Sequence, residues 1–149
     1  MNDKSLSLKF QRFYDWLSLY PWLNYWFPII FIAGLIFYLS SKFTLPQPPF
    51  YIPYLDKIEH TIIYGALGFF ARRAFRQTGI SFLSELPGIC AILFCMFYGF
   101  SDEIHQSFVP NRDTDIYDVL FDTIGGLLGQ WIHFSGFVNK LFKYILWVR

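Results

Sequence analysis

Four runs of mostly apolar residues divide the chain, and each predicts a helix. The runs cover residues 22–39, 61–74, 86–100 and 119–134. A helix needs about 20 residues to cross a bilayer, so the first run has about the required length and the later runs are shorter. The second run is long enough to cross the membrane only if the polar turn at residues 56–60 forms its outer end. The pattern therefore predicts four transmembrane segments, the second on that condition.

The flanking segments have a different pattern. Residues 6–20 and 137–148 mix aromatic side chains with basic ones, which is typical of helices that lie in the membrane interface. The alternative is a pair of packed helices with no membrane role. We expect an interfacial N-terminal segment at 1–21, one transmembrane domain at 22–134 and an interfacial C-terminal segment at 135–149. Four prolines at residues 41–53 predict an extended external loop.

Composition supports a membrane protein. The 149 residues are 54% hydrophobic and 23% aromatic but only 15% charged, whereas a soluble domain carries about 25% charged residues. The predicted fold class is an all-α integral membrane bundle of four transmembrane helices. The net charge of +1 and the lack of a basic, aromatic face argue against nucleic-acid binding. Gly125 and Gly129 form a Gly-x-x-x-Gly pair, which favours close helix packing within the chain over a dimer contact, so no homo-oligomer is indicated.

Charge is distributed unequally between the two sides of this bundle. Nine of the twelve basic residues fall on one side: Lys4, Lys9, Arg12, Arg72, Arg73, Arg76, Lys140, Lys143 and Arg149. The positive-inside rule makes that side cytoplasmic and puts both termini in the cytoplasm. The opposite side receives Lys42, Lys57 and Arg112 and most of the acidic residues. Two polar clusters distant in sequence, at 56–60 and 101–122, thus meet at the outer face.

Helical spacing groups the polar residues of these clusters. Asp56 and His60 are four residues apart, and Asp102 has the same spacing to Gln106. Arg112 is the expected counter-charge, because its guanidinium can hold a carboxylate or a phosphate bidentately. Ionisable groups at a bilayer edge are costly and mark sites. The catalytic candidates are Asp102, Glu103 and His105; the ligand-binding candidates are Asp56, Lys57, His60, Gln106, Arg112 and Asp118.

The order of these elements resembles the VanZ-like family. The matching elements are Asp56-Lys57-Ile58-Glu59-His60, then Asp102-Glu103-Ile104-His105-Gln106, then Pro110-Asn111-Arg112, then Asp118 before the glycine-rich segment 123–129. Asn111 and Asp122 depart from the family pattern, which commonly has glycine and asparagine there. The resemblance implies a small multi-pass protein of the bacterial cytoplasmic membrane, in a family linked to resistance to the glycopeptide teicoplanin. It implies no established reaction.

Several hypotheses remain open for the polar cluster. It could bind an anionic lipid or cell-wall precursor, with chemical modification of that ligand as an extension, or it could only hold the bundle together in a structural or accessory protein. A metal-dependent membrane hydrolase is a third hypothesis, with His60 and His105 as the weak ligand candidates, because no His-x-x-x-His spacing is present. A proton-coupled transporter is the least favoured. Membrane lipids are expected partners, and no cofactor is predicted.

Overall fold

The structure is a computed structural model that describes residues 12, 16, 19–43 and 52–134. Within these ranges all regular structure is helical, and no strand is present. We number the helices α1 (Pro21–Tyr25), α2 (Phe27–Ser40), α3 (Leu55–Phe75), α4 (Ser81–Glu85), α5 (Pro87–Gln106) and α6 (Ile116–Phe134). The predicted interfacial helices at 6–20 and 137–148 lie almost wholly outside the described residues, as does most of the loop at 41–53.

Each of the four predicted segments contains a long helix, but the first segment, residues 22–39, is divided at Trp26 into α1 and α2. Helices α3 and α5 include more polar sequence than their predicted segments. Helix α3 begins at Leu55, directly after Tyr54, whose left-handed φ of 57° turns the chain into the helix. The polar turn at 56–60 is therefore the first part of α3, which is the condition that the sequence set for this segment. Helix α5 begins with Pro87 in its first turn, where a missing N–H costs nothing, and continues through Gln106.

Helices α3 and α6 form the most extensive helix pair, and α5 packs on both of them. Gly125 and Gly129 of α6 lie directly against the backbone of α3. A Cβ atom on Gly125 would come within 2.5 Å of the Thr61 carbonyl oxygen, and one on Gly129 would meet the Gly65 carbonyl oxygen. The prediction that this glycine pair packs within the chain is thus confirmed.

The hydrophobic core lies between α2, α3 and α5. It is centred on Tyr64, Leu67, Ala71 and Cys95, which are fully buried. Cys90 and Cys95 are both free thiols in this core. Many large apolar side chains face outward instead; Ile62, Phe97 and Trp131 are each more than 60% exposed. Such an apolar exterior is unusual for a soluble domain and fits a lipid-facing surface.

Among the described helices, α5 is the one that is long and apolar enough to cross a membrane. Helix α2 is more apolar than α5 but has only 14 residues, and α3 carries several charged groups. The all-helical fold class is confirmed. The crossing of a membrane by all four long helices remains a proposal.

The chain alternates direction, so the four long helices bring their polar ends together. The end of α2, the start of α3, the end of α5 and the start of α6 are joined by side-chain contacts. We call this end of the bundle the polar end. At the opposite end, Arg72 donates a hydrogen bond to Gln130.

Candidate functional site

Lys57 is the central cation of the polar end. Its side chain is 11% exposed, and its ammonium nitrogen lies 2.6 Å from both Asp115 Oδ2 and Asp118 Oδ1. Asp56 adds a third carboxylate at 3.1 Å, but the Asp56 side chain is 61% exposed. Helix α3 therefore presents Lys57 to α6, while its neighbour Asp56 points toward solvent.

The contact with Lys57 changes the pKa of Asp115, which lies in the loop before α6. The hydrogen bond from Lys57 lowers the pKa of Asp115, and the Tyr117 backbone N–H contributes to the same shift. Asp115 is therefore held in its charged form across the neutral pH range.

His60 and Asp122 form the second contact between α3 and α6. His60 Nδ1 lies 2.8 Å from Asp122 Oδ1, and Asp122 is completely buried. Gly99 of α5 makes room for this carboxylate, because a Cβ atom there would clash with Asp122 Oδ2. Asp118 and Asp122 are four residues apart and lie on one face of α6, which explains why one contacts Lys57 and the other His60.

Helix α5 contributes a buried row of polar side chains. Asp102 and Gln106 are joined by a hydrogen bond of 3.0 Å from Gln106 Nε2. Glu103 accepts the Asp115 backbone N–H at 2.8 Å through Oε2, which anchors the loop before α6 to α5. The other Glu103 oxygen, Oε1, is buried with no hydrogen-bond partner among the described residues.

His105 lies apart from the other candidate residues. Its Nε2 is 2.9 Å from Ser41 Oγ, and its ring stacks on Phe37 with centroids 4.4 Å apart. It therefore connects α5 to the end of α2. His105 is not among the residues that line the cavity or that group with His60.

A cavity of about 430 Å³ opens beside this polar network. Its lining is mostly apolar and includes Ile36, Leu39, Ile62 and Ile63, with a polar part formed by Glu59, His60, Asp102, Gln106 and Arg112. Arg112 follows the turn residue Asn111, whose φ of 61° is left-handed. Its Nε is buried with no hydrogen-bond partner among the described residues, and none of their carboxylates lies within 4.0 Å of its side chain.

The structure thus divides the sequence candidates into two groups and one outlier. Lys57, Glu103 and Asp118 belong to the buried ionic network, and Asp56 joins that network from its exposed edge. Asp102, Gln106 and Arg112 line the cavity, and His60 belongs to both groups. The outlier is His105. The counter-charge that the sequence assigned to Arg112 is instead provided by Lys57. Sequence reasoning missed Glu59 and the Ser41–His105 contact; no spacing rule predicts a contact between residues 64 positions apart.

Comparison with known proteins agrees with this arrangement. A family model described as VanZ/LLP1 matches residues 3–139, nearly the whole chain. The chain belongs to the VanZ/LLP1 family. The family is membrane-associated, which is consistent with the apolar exterior and with α5. The match confirms the family resemblance of this VanZ-like chain, which was predicted from the order of its polar elements.

No curated protein and no solved structure matches the chain significantly. The site of this VanZ-like protein is therefore interpreted from its own geometry.

Proposed function

We propose that this VanZ-like protein binds an anionic, lipid-like component of the bacterial envelope in the cavity at its polar end. The protein would lie in the cytoplasmic membrane with four spans, with both termini in the cytoplasm and the polar end outside. Arg112 carries the proposal, because it lines the cavity and its buried Nε has no hydrogen-bond partner in the described part of the chain. A buried donor left unsatisfied costs about 1–3 kcal/mol, which a bound anion would recover.

The other residues that line the cavity indicate which class of ligand would fit. The apolar wall of Ile36, Leu39, Ile62 and Ile63 suits a hydrocarbon chain. Asp102 and Glu59 would repel a bare anion, but their oxygens accept hydrogen bonds from hydroxyl groups. A phosphate that carries neighbouring hydroxyl groups and an acyl or polyprenyl chain would fit all three parts of the lining. The phosphate would contact Arg112, the hydroxyls would contact the acidic residues, and the chain would contact the apolar wall. Anionic glycerolipids and lipid-linked sugars have this chemistry.

The test compares Arg112 with a second cation near the same end. In the purified full-length protein, binding of phosphatidylglycerol and of a polyprenyl phosphate sugar is measured by native mass spectrometry, with phosphatidylcholine as the neutral reference. R112Q should weaken anionic-lipid binding about tenfold or more, since a charge-assisted hydrogen bond contributes about 1.5–3 kcal/mol. K42Q is the matched control, because exposed Lys42 lies over the Tyr38 ring and does not line the cavity.

Equal binding by R112Q and the wild-type protein would overturn the proposal, and so would equal affinity for phosphatidylcholine. The two anionic ligands distinguish a glycerolipid from a cell-wall precursor. A role in glycopeptide resistance rests on the family alone, and loss of that phenotype in R112Q at unchanged protein levels would support it.

A structural function is the second candidate, and the Lys57 network favours it. Lys57, Asp115, Asp118 and Glu103 are engaged with one another, which is what a purely stabilising cluster requires. We assign that function to the network and ligand binding to the cavity. If R112Q lowered the melting temperature as much as substitution of Lys57, Arg112 would belong to the structural network instead.

A further inference from the structure

Three side chains from three helices meet at the centre of the polar end. His60 of α3, Glu103 of α5 and Asp118 of α6 each place one potential ligand atom within 4.8 Å of the other two. Tetrahedral ligands of a single ion at about 2.1 Å lie about 3.4 Å apart. The three side chains would therefore have to close by up to about 1.4 Å to share one ion. Glu103 and Asp118 are each 7% exposed, so water competes little for them.

Glu103 supplies an independent observation that points to a cation. Its side chain is more than nine-tenths buried, and its Oε2 already accepts the Asp115 backbone N–H. Its Oε1 is buried without a hydrogen-bond partner among the described residues. Burying a carboxylate oxygen without a partner is costly, and a metal ion removes that cost by direct coordination.

His60 is oriented as metal-binding histidines are. When its Nδ1–H donates to Asp122 Oδ1, the lone pair of the imidazole is on Nε2 and is available for coordination. A carboxylate that holds the second ring nitrogen is the usual outer partner of a metal-bound histidine. Asp122 is fully buried, and α5 has a glycine at position 99 where any side chain would clash with it.

The local charge also suits a divalent cation. A neutral His60 with the carboxylates of Glu103 and Asp118 gives a ligand charge of −2. Asp118 Oδ1 contacts Lys57, whose own charge is further balanced by Asp115 and Asp56. A mixed imidazole and carboxylate set favours a transition metal over Ca²⁺, which prefers more oxygen ligands.

We propose that His60, Glu103 and Asp118 form a binding site for one divalent transition-metal ion, with Asp122 as the positioning residue of His60. Three protein ligands leave a coordination position for water or for an anionic oxygen. His60 also lines the cavity, so a metal here would lie next to the ligand assigned to Arg112. The metal site does not depend on that ligand, because its three side chains bind without it.

The experiment measures metal uptake by the full-length protein. The purified protein is treated with chelator and dialysed, and ZnCl₂, MnCl₂ and CaCl₂ are titrated in separate calorimetry runs; elemental analysis of protein purified without chelator gives the stoichiometry. The wild-type protein should bind one equivalent of Zn²⁺ or Mn²⁺ and bind Ca²⁺ at least tenfold more weakly. Metal binding should also raise the melting temperature, since it stabilises the folded state.

Matched variants assign the site to these residues. H60Q and E103Q should each weaken binding by tenfold or more, and D122N should weaken it by about 10- to 100-fold through the outer contact. H105Q and D113N are the controls. They remove an imidazole and a carboxylate at the same end, but His105 contacts Ser41, and Asp113 is exposed and does not line the cavity. Both should bind metal within about threefold of wild type.

Two results would overturn the site. One is a wild-type protein that takes up neither Zn²⁺ nor Mn²⁺, which decides the question even if a variant fails to fold. The other is equal metal affinity in E103Q and D113N. The metal site and the lipid proposal are tested with different variants, because R112Q is not part of this series. A negative result for metal binding therefore does not contradict the lipid proposal, and a negative result for lipid binding does not contradict the metal site.

Discussion

At the scale of single residues, Lys57 shows how a charge becomes tolerable at the edge of a hydrophobic bundle. Three carboxylates lie within 3.1 Å of its ammonium nitrogen, and two of them come from the far side of a helix interface. Ionic hydrogen bonds of 2.6 Å are at the short end of the usual range. Removal of Lys57 would leave Asp118, which is 7% exposed, as an uncompensated buried charge.

We therefore expect K57M to destabilise the protein strongly, by about 3 kcal/mol, because breaking a buried ion pair costs about 3–5 kcal/mol and Asp115 is partly solvated. D56N removes a partner that is 61% exposed and should cost no more than about 1 kcal/mol. Melting temperatures of the two variants in detergent provide the measurement. Similar melting temperatures for K57M and D56N would contradict a structural function for Lys57.

The contrast between Asp56 and Lys57 shows the limit of spacing rules at this scale. Spacing grouped Asp56 with His60, because residues four apart lie on one face of a helix. The structure instead turns Lys57 and His60 toward α6; these residues are three apart on one face of α3. One residue corresponds to a rotation of about 100° around the helix axis. Only packing determines which of two neighbouring charges faces inward.

At the scale of helices, the contact between α3 and α6 depends on small residues. Gly125 and Gly129 allow the two backbones to approach closely enough for Lys57 to reach Asp118 and for His60 to reach Asp122. The glycine spacing predicted close packing from the sequence. The partner helix was not predictable, since the motif describes one surface only.

We expect G125A to destabilise the bundle by about 1–3 kcal/mol, the usual cost of forcing an extra methyl group into a packed interface. Its Cβ atom would lie within 2.5 Å of the Thr61 carbonyl oxygen, which is backbone and cannot rotate away. G34A is the control, because nothing lies within 4 Å of a Cβ atom at Gly34 of α2. Alanine there should be neutral or stabilising by up to about 1 kcal/mol. Equal stability of both variants, measured by thermal unfolding, would refute tight packing at Gly125.

At the scale of the whole molecule, alternation of helix direction creates the polar end. Charges from residues 56–60, 101–106 and 112–122 gather there, and Arg72, Arg73 and Arg76 mark the opposite end of α3. An excess of basic residues at one end predicts membrane orientation. The polar end should therefore face outward from the cytoplasmic membrane.

Cysteine labelling tests this orientation in a C90A/C95A background. D113C and R76C are suitable positions, since both side chains are exposed and they lie at opposite ends of the bundle. Asn111 is unsuitable, because cysteine would be strained at its φ of 61°. A membrane-impermeant maleimide should label D113C in intact cells and R76C only after permeabilisation. The reverse pattern would overturn the orientation, and labelling of both in intact cells would overturn four spans.

The sequence by itself determined the all-helical class, the approximate positions of the long helices and the end at which the polar residues collect. These features follow from local composition and from the number of chain reversals, and neither of these depends on which helices pack together. Only the tertiary structure decided that Lys57 pairs with Asp118, that His60 pairs with Asp122, and that Arg112 has no ionic partner among the described residues. Those outcomes depend on the rotation and approach of helices about 60 residues apart, which side-chain packing sets.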